Sequence, residues 1–295
     1  TKMHVHWLVA ETNPEHNPRG EGSTKKLDDT GVRRNWKMNL LNAGKPWEGF
    51  CQKYSALRDY IAANRLRGTD LVVVTDGRDV LVNRDSADFA KSFRSKFRGG
   101  VVFGTEQECC VEVMYEYKPG AFVGKTKAGI SRRKPAISGP GWDDGTAPRD
   151  KDGLWMRRLH SKVPKHLRNK AAGAFPYLNG GLACGTVKAW KALLKAMGKF
   201  DTWEDDQALF TDVMLAKSGL VKLDYNQEFF SNSNVDQGKA GCFYKWDSGK
   251  KSYTNTLTKT MPYFIQTPGA KNDFKPFGCY MKLYRNLKKP IHPKR

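Results

Sequence analysis

Two carboxylates three residues apart, Asp76 and Asp79, close an apolar run in "DLVVVTDGRDVLVN", with Gly77 and Arg78 between them. Hard divalent cations take carboxylate oxygens, and two Asp on one turn can share an ion. The same residues also suit an Asx-type turn in which Asp76 bonds backbone amides and Asp79 stays solvated. A second acidic group, Glu204, Asp205 and Asp206 in "WEDDQ", is expected in the first turn of a helix, with Thr202 and Asp205 resembling a capping box. Negative charge there meets the positive end of the helix dipole. It also suits binding an acceptor's hydroxyls or orienting a sugar. In "YLNGGLACG", Asn179 precedes Gly180 and Gly181, where the backbone is free to take unusual torsions and approach a ligand; a β-bulge is the structural alternative. In "QTPGAKN", Gly269 and Lys271 offer backbone amides and an ammonium to a phosphate. No P-loop, no GxSxG and no GxGxxG after a strand occurs, and the six cysteines include no CxxC pair. Buried, reduced thiols are therefore expected. His4 and His6 share a strand face and read as structural.

These residues need elements to carry them. Val5 to Ala10 reads as a first strand, and Tyr54, Leu57, Ile61 and Leu66 recur at helical spacing before the Leu71 to Val74 strand. Val80 to Val82 is a short apolar stretch, Phe89, Phe93 and Phe97 step by four, and Val101 to Thr105 is another strand. Strands alternating with helices predict an α/β domain with a mostly parallel central sheet flanked by helices. In such sheets ligands bind beyond the carboxyl ends of the strands, where Asp76 and Asp79 stand. A long basic loop is expected over 118–170. After it come a strand from Tyr177 to Cys184, a helix capped by Thr186, and a helix carrying Leu209, Phe210, Val213 and Met214 and stopped by Gly219. "VKLDYNQEFF" and Met261 to Ile265 supply further strands, and 276–295 reads as a basic tail. We expect one domain spanning 1–295.

Composition narrows the function classes. A chain of 295 residues with 39% hydrophobic residues can bury a substantial core, which argues against general disorder. No apolar run is long enough to cross a bilayer as a helix. The opening residues lack a signal-peptide pattern. The compartment stays open between the cytoplasm and, had a signal or anchor been trimmed, the secretory-pathway lumen. With 51 Lys and Arg against 30 Asp and Glu, the net charge is +21, which attracts polyanions. The charge is scattered along the chain, so a dedicated nucleic-acid face is not expected.

The ordered set "LVAET", "CQK", "LVVVTDGRDVLVN", "VVFGTEQECC", "YLNGGLACGT", "EDDQALFT", "LDYNQEFF" and "IQTPGAKN" resembles the glycosyltransferase domain of the procollagen lysyl hydroxylases and related procollagen galactosyltransferases and glucosyltransferases. The resemblance covers roughly residues 3 to 275 and implies a GT-A fold, a UDP-linked sugar donor and Mn²⁺ (or Mg²⁺). By position, Asp76 and Asp79 match its metal-binding carboxylates. Ala10, Glu11, Thr12 and Lys53 match segments lining the nucleotide, as do Gly77 and Arg78 within the acidic turn. Asn179, Gly180 and Gly181 match a sugar-site turn, Asp205 and Asp206 an acidic run near donor sugar and acceptor, and Gly269 and Lys271 a diphosphate loop. Gln266 stands where the family has a metal-binding His, Arg78 where it has an aromatic residue, and Ala56 where it has a Trp.

The resemblance implies transfer of a hexose or pentose from a nucleotide-sugar to a hydroxyl of a glycan or glycoprotein, with retention of anomeric configuration. Two other classes remain: a metal-dependent nuclease or phosphotransferase using the same acids, and a non-catalytic carbohydrate- or nucleic-acid-binding module.

Overall fold

The computed structural model describes residues 3–12, 24–107, 159, 161–168, 175–202, 204–217, 219–233, 242–268 and 276–289. In chain order the elements are β1 (Val5–Ala10), α1 (Lys25–Val32), β2 (Met38–Leu41), α2 (Gln52–Ala63), β3 (Leu71–Asp76), β4 (Val80–Val82), α3 (Phe89–Lys96) and β5 (Val101–Glu106). They continue with α4 (Lys165–Arg168), β6 (Tyr177–Thr186), α5 (Val187–Met197), α6 (Asp206–Ala216), β7 (Val221–Leu223), β8 (Phe230–Asn232), β9 (Tyr244–Asp247), β10 (Ser252–Asn255), β11 (Phe264–Gln266) and α7 (Pro276–Leu287). Most of the expected basic loop over 118–170, together with Gly269 and Lys271, lies outside the described residues.

The chain is α/β with a mostly parallel central sheet flanked by helices. Nine strands form one sheet in the order β2-β1-β3-β6-β5-β8-β11-β4, with β7 beside β5; β9 and β10 form a separate antiparallel pair. Only β6 and β4 run against the others in the large sheet. β1 and β3 carry apolar runs, Trp7 to Val9 and Leu71 to Val74, because both their faces are covered there, as parallel strands require. Leu8, Val72 and Val74 pack with Tyr54 and Leu57 of α2, Trp190 and Leu193 of α5 and Phe210 of α6. Trp7, Val9, Leu71 and Val73 face the other way, onto Leu27 of α1, Phe89 and Phe93 of α3, and Phe264.

The predicted strands and the α2, α3 and α5 helices are present. Thr186 caps α5, its Oγ1 accepting from Ala189 N at 3.1 Å. The acidic helix differs from expectation. It begins at Asp206, and its cap is Asp205, whose Oδ1 accepts from Ala208 N at 2.8 Å, so Glu204 stands before the helix and Thr202 is not the cap. A carboxylate adjacent to the first turn outcompetes a hydroxyl three residues earlier. The helix also ends at Ala216, short of Gly219.

The expectation of reduced thiols throughout is corrected. Cys242 and Cys279, 37 residues apart, are joined in a disulfide, while Cys51 and Cys184 stay buried as thiols. Tertiary packing places the start of the β9–β10 hairpin against α7, a contact that spacing along the chain does not reveal. Cys279, Tyr280, Leu283 and Leu287 of α7 pack with Leu81, Tyr253 and Ile265, so helix occupies much of the span read as a basic tail.

Candidate active site

Because β1, β3, β5, β8 and β11 run one way, their carboxyl ends lie together. Asp76 ends β3, Glu11 follows β1, Glu106 ends β5 and Gln266 ends β11. β4 and β6 run oppositely and begin at this end, which brings Asp79 and Asn179 to the same rim. Three strands separate β3 from β11 in the sheet order, yet Gln266 Nε2 donates to Asp76 Oδ2 and to Asp79 Oδ1, each at 3.2 Å. The sheet must curl strongly for its β11 end to return to β3.

A bulge in β6 assists that curl. Phe103 pairs with Ala183 but the next residue, Gly104, pairs with Asn179, so Gly180, Gly181 and Leu182 have no counterpart on β5. Neither Gly180 nor Gly181 has a positive φ, so the demand for glycine here is for space rather than for the unusual torsions expected. A Cβ on Gly181 would lie 2.4 Å from both amide atoms of Gln266 and 2.5 Å from Asp76 Oδ2. One on Gly180 would lie 2.7 Å from Asp206 Oδ2. The two glycines admit the two acidic groups to one point.

Lys53 joins those groups. Its buried ammonium meets Asp76 Oδ1 at 3.1 Å and Asp206 Oδ2 at 2.9 Å, and donates to Gly180 O at 2.9 Å, a carbonyl that also accepts from Tyr54 OH at 3.0 Å. Burial alone would lower the Lys53 pKa, but Asp206 and Asp76 outweigh it and hold it well above its ordinary value. Burial pushes the Asp206 carboxyl up, and Lys53 opposes that shift. Asp205 is raised by burial and by Asp206 beside it. Nearer the outer edge, Arg78 grips the buried Glu11 through two bonds, Nε to Oε2 at 2.6 Å and Nη2 to Oε1 at 2.8 Å.

The structure thus brings together Asp76, Asp79, Gln266, Lys53, Asp206, Gly180 and Gly181, with Glu11, Gly77 and Arg78 alongside. Gly77 passes close to its neighbours, since a Cβ there would lie 3.0 Å from Glu11 Cβ and from Thr24 Cγ2. Ala10 is the register partner of Asp76, and Thr12 O accepts from Gly44 N at 2.8 Å. Asp205 serves as the cap of α6, one residue from the cluster. Asn179 turns its side chain to Gly181 N through Oδ1 at 2.8 Å and to Glu106 Oε2 through Nδ2 at 3.1 Å. Ala56 packs against the core cluster beneath α2.

Three participants escaped the sequence reading. Glu106 accepts from Asn179 and, at 3.3 Å, from Gln207 Nε2, while Gln207 Oε1 accepts from Gly180 N at 2.8 Å. Glu106 carried the same signal as Asp76, a carboxylate at the end of a buried strand. Tyr54 read only as a core-facing helix residue, and Gln207 carried no signal.

Among the described residues, no three His, Cys, Asp or Glu side chains converge as a metal-binding group. The oxygens available to a cation are those of Asp76 and Asp79 and the Gln266 carbonyl, Oε1, which is buried without a hydrogen-bond partner. Three hard oxygen donors suit Mg²⁺ or Mn²⁺. Lys53 is shared between Asp76 and Asp206, and Asp79 adds a third carboxylate to the same rim. The residues fit such an ion.

No protein-family model and no curated protein sequence matches the chain. Among solved structures, a glycosyltransferase involved in the glycosylation of the major capsid of PBCV-1 superposes over 94% of this chain and 99% of its own, at 10% identity and a TM-score of 0.39. Mouse xyloside xylosyltransferase 1 in its apo form covers 92% of this chain and 99% of its own, at 10% identity and a TM-score of 0.40. A putative glucose-1-phosphate thymidylyltransferase from Bacillus anthracis covers 76% of this chain at 13% identity and a TM-score of 0.32. With scores this low, these likenesses carry no argument about activity.

Proposed function

We propose that the chain is a divalent-metal-dependent glycosyltransferase of GT-A type, moving a hexose or pentose from a UDP-linked donor to a hydroxyl of a glycan or glycoprotein. The observation that carries this reading is the meeting of Asp76, Asp79 and Gln266 at the carboxyl end of the sheet, with Lys53 and Asp206 joined to them. The sequence resemblance to the procollagen-type glycosyltransferase domains supports it independently.

Asp76, Asp79 and Gln266 would hold Mn²⁺ or Mg²⁺, which when bound neutralises the diphosphate leaving group. Lys53 is saturated by two carboxylates and a carbonyl, so its work is to fix Asp76 and Asp206 in place and to oppose the rise that burial imposes on the Asp206 carboxyl. Asp206, pressed against Gly180, presents its carboxylate to the donor sugar beside Asn179 and Gly181. Such a preformed group opposite developing positive charge at the anomeric carbon lowers the barrier without reorganisation. Ala10, Glu11, Thr12, Gly77 and Arg78 would line the nucleotide, and the resemblance gives Gly269 and Lys271 to the diphosphate. Retention of anomeric configuration follows from the resemblance.

The test is to offer a panel of UDP-, GDP- and dTDP-sugars with Mn²⁺ and follow nucleotide release. UDP release that is lost in Asp79→Ala is expected. Cleavage of nucleic acid without turnover of any nucleotide-sugar would replace this reading with a nuclease, and sugar binding without release would replace it with a lectin.

A further inference from the structure

Gln266, which meets the two carboxylates, and Asn232 on the neighbouring strand carry carbonyl oxygens that no donor meets. Gln266 and Asn232 are register partners on the parallel strands β11 and β8. Their side chains therefore leave the sheet on one face, from strands about 4.8 Å apart. Both nitrogens are committed. Asn232 Nδ2 donates to Thr105 O at 3.0 Å, and Gln266 Nε2 donates to Asp76 and Asp79. Both carbonyls, Asn232 Oδ1 and Gln266 Oε1, are buried with no hydrogen-bond partner. A buried acceptor left unmade is costly, and two on register partners call for a state of the molecule that satisfies them.

Asn232 cannot supply that state by turning over, because its carbonyl would then face the carbonyl of Thr105. Gln266 can. An amide's NH₂ and O are nearly equal in size, so a half-turn needs no new volume. Turned, Oε1 faces Asp76 and Asp79 and is repelled unless a cation lies between them, while Nε2 moves toward the Asn232 side.

We infer that the Gln266 amide is a cation-responsive switch. Without a cation its NH₂ bridges the two carboxylates. With one bound it turns, Oε1 becomes the third oxygen ligand, and Nε2 donates to Asn232 Oδ1. One rotation satisfies both orphaned acceptors, and it makes Asn232 a positioning residue for the metal. Gly181 leaves the amide its space, since a Cβ there would meet both Nε2 and Oε1 at 2.4 Å. The inference rests on the cation reading proposed above and adds to it a residue and a movement.

The experiment titrates Mn²⁺ into the metal-free protein by calorimetry, with melting curves in EDTA as the check on folding. Asn232→Leu should weaken Mn²⁺ binding by about tenfold or more, as loss of an outer partner of a ligand does. Asn232→Asp loses the same bond to Thr105 but keeps an acceptor, and should retain wild-type affinity or exceed it. In a Gln266→Ala background the Asn232→Leu change should shrink to less than about twofold, since the two residues act through one contact. Equal losses for Leu and Asp, or an undiminished Leu effect without Gln266, would overturn the switch. Should Asn232→Leu fail to fold, the side-chain ¹⁵N–¹H₂ signals of Gln266 in the wild type decide the matter: they should shift on saturation with Mg²⁺, and unmoved signals overturn the inference. A wild type that binds no divalent ion removes the cation reading itself. A wild type that binds it indifferently to Asn232 removes only the switch.

Discussion

At the scale of single residues, buried Lys53 links Asp76 to Asp206, and its charge opposes the rise that burial imposes on the Asp206 carboxyl. Asp205 and Asp206 are adjacent and chemically identical, yet only Asp206 reaches Lys53; Asp205 spends an oxygen on Ala208 N. Asp205→Asn retains that acceptor, so UDP release should persist within a few-fold. Asp206→Asn removes the charge opposite Lys53 and should lower release by at least about a hundredfold. Steady-state assays of the two variants side by side check this; an equal loss would return a chemical role to Asp205. Gly181 makes a second sharp case. Gly181→Ala forces a methyl to within 2.4 Å of Gln266 and should cost about 1–3 kcal/mol along with Mn²⁺ binding. Gly278, within α7 and with open space where a Cβ would stand, should accept Ala and gain up to about 1 kcal/mol. Urea unfolding of both variants is the measurement.

Among elements, the starts of β1 and β3 are fastened by Asp70. Its carboxylate accepts from His4 N at 3.1 Å and from Arg67 N at 3.1 Å, and it pairs with the Arg67 guanidinium at 2.8 Å. The hydrogen bonds from Arg67 outweigh burial and lower the Asp70 pKa to about 2. A carboxyl lowered on folding adds stability above its unfolded pKa, about 3.9, and loses it as pH falls through the folded value. Wild type should therefore lose stability between about pH 4 and pH 2 relative to Asp70→Asn, by roughly 1 kcal/mol once the exposure of Arg67 is allowed for. Denaturant midpoints at pH 5 and pH 2.5 for both proteins measure it; parallel pH profiles would refute the assignment. The far end of the same strands carries Asp76, so this fastening sets the register that delivers it to the site.

For the molecule as a whole, the decisive attachment is that of α7. Arg34, fully buried, donates to Leu287 O at 2.6 Å, Asn83 O at 3.0 Å and Lys251 O at 3.1 Å, tying the helix to the end of β4 and to the hairpin. Burial lowers its pKa to about 10, which leaves it charged at neutral pH. Tyr284 OH donates to Asp29 Oδ2 at 2.7 Å, and the Cys242–Cys279 disulfide closes a loop of 37 residues. On the chain-entropy model a loop of that length is worth about 4 kcal/mol. Reduction, or Cys242→Ser, should lower unfolding free energy by an amount of that order. Urea curves with and without dithiothreitol check this, with Cys242→Ser insensitive to the reductant.

Much of this protein was legible in its sequence because the signals are local. A strand buried on both faces must be apolar end to end, and Leu71 to Val74 is. Thr186 sits one residue before a helical apolar stripe, and a carboxylate at the mouth of a buried strand needs a partner. The place of Asp76 at the end of β3 and the cap of α5 follow from those rules. What the tertiary structure alone decided is which distant groups meet. The curl of the sheet carries Gln266 across three strands to Asp76. The residues of β6 without a counterpart on β5 put Gly180 and Gly181 under the acids, and packing brought Asp206 to Lys53, left Asp205 as the helix cap and joined Cys242 with Cys279. Such contacts join residues tens to hundreds of positions apart, and their energies depend on burial and register that periodicity along one chain does not encode.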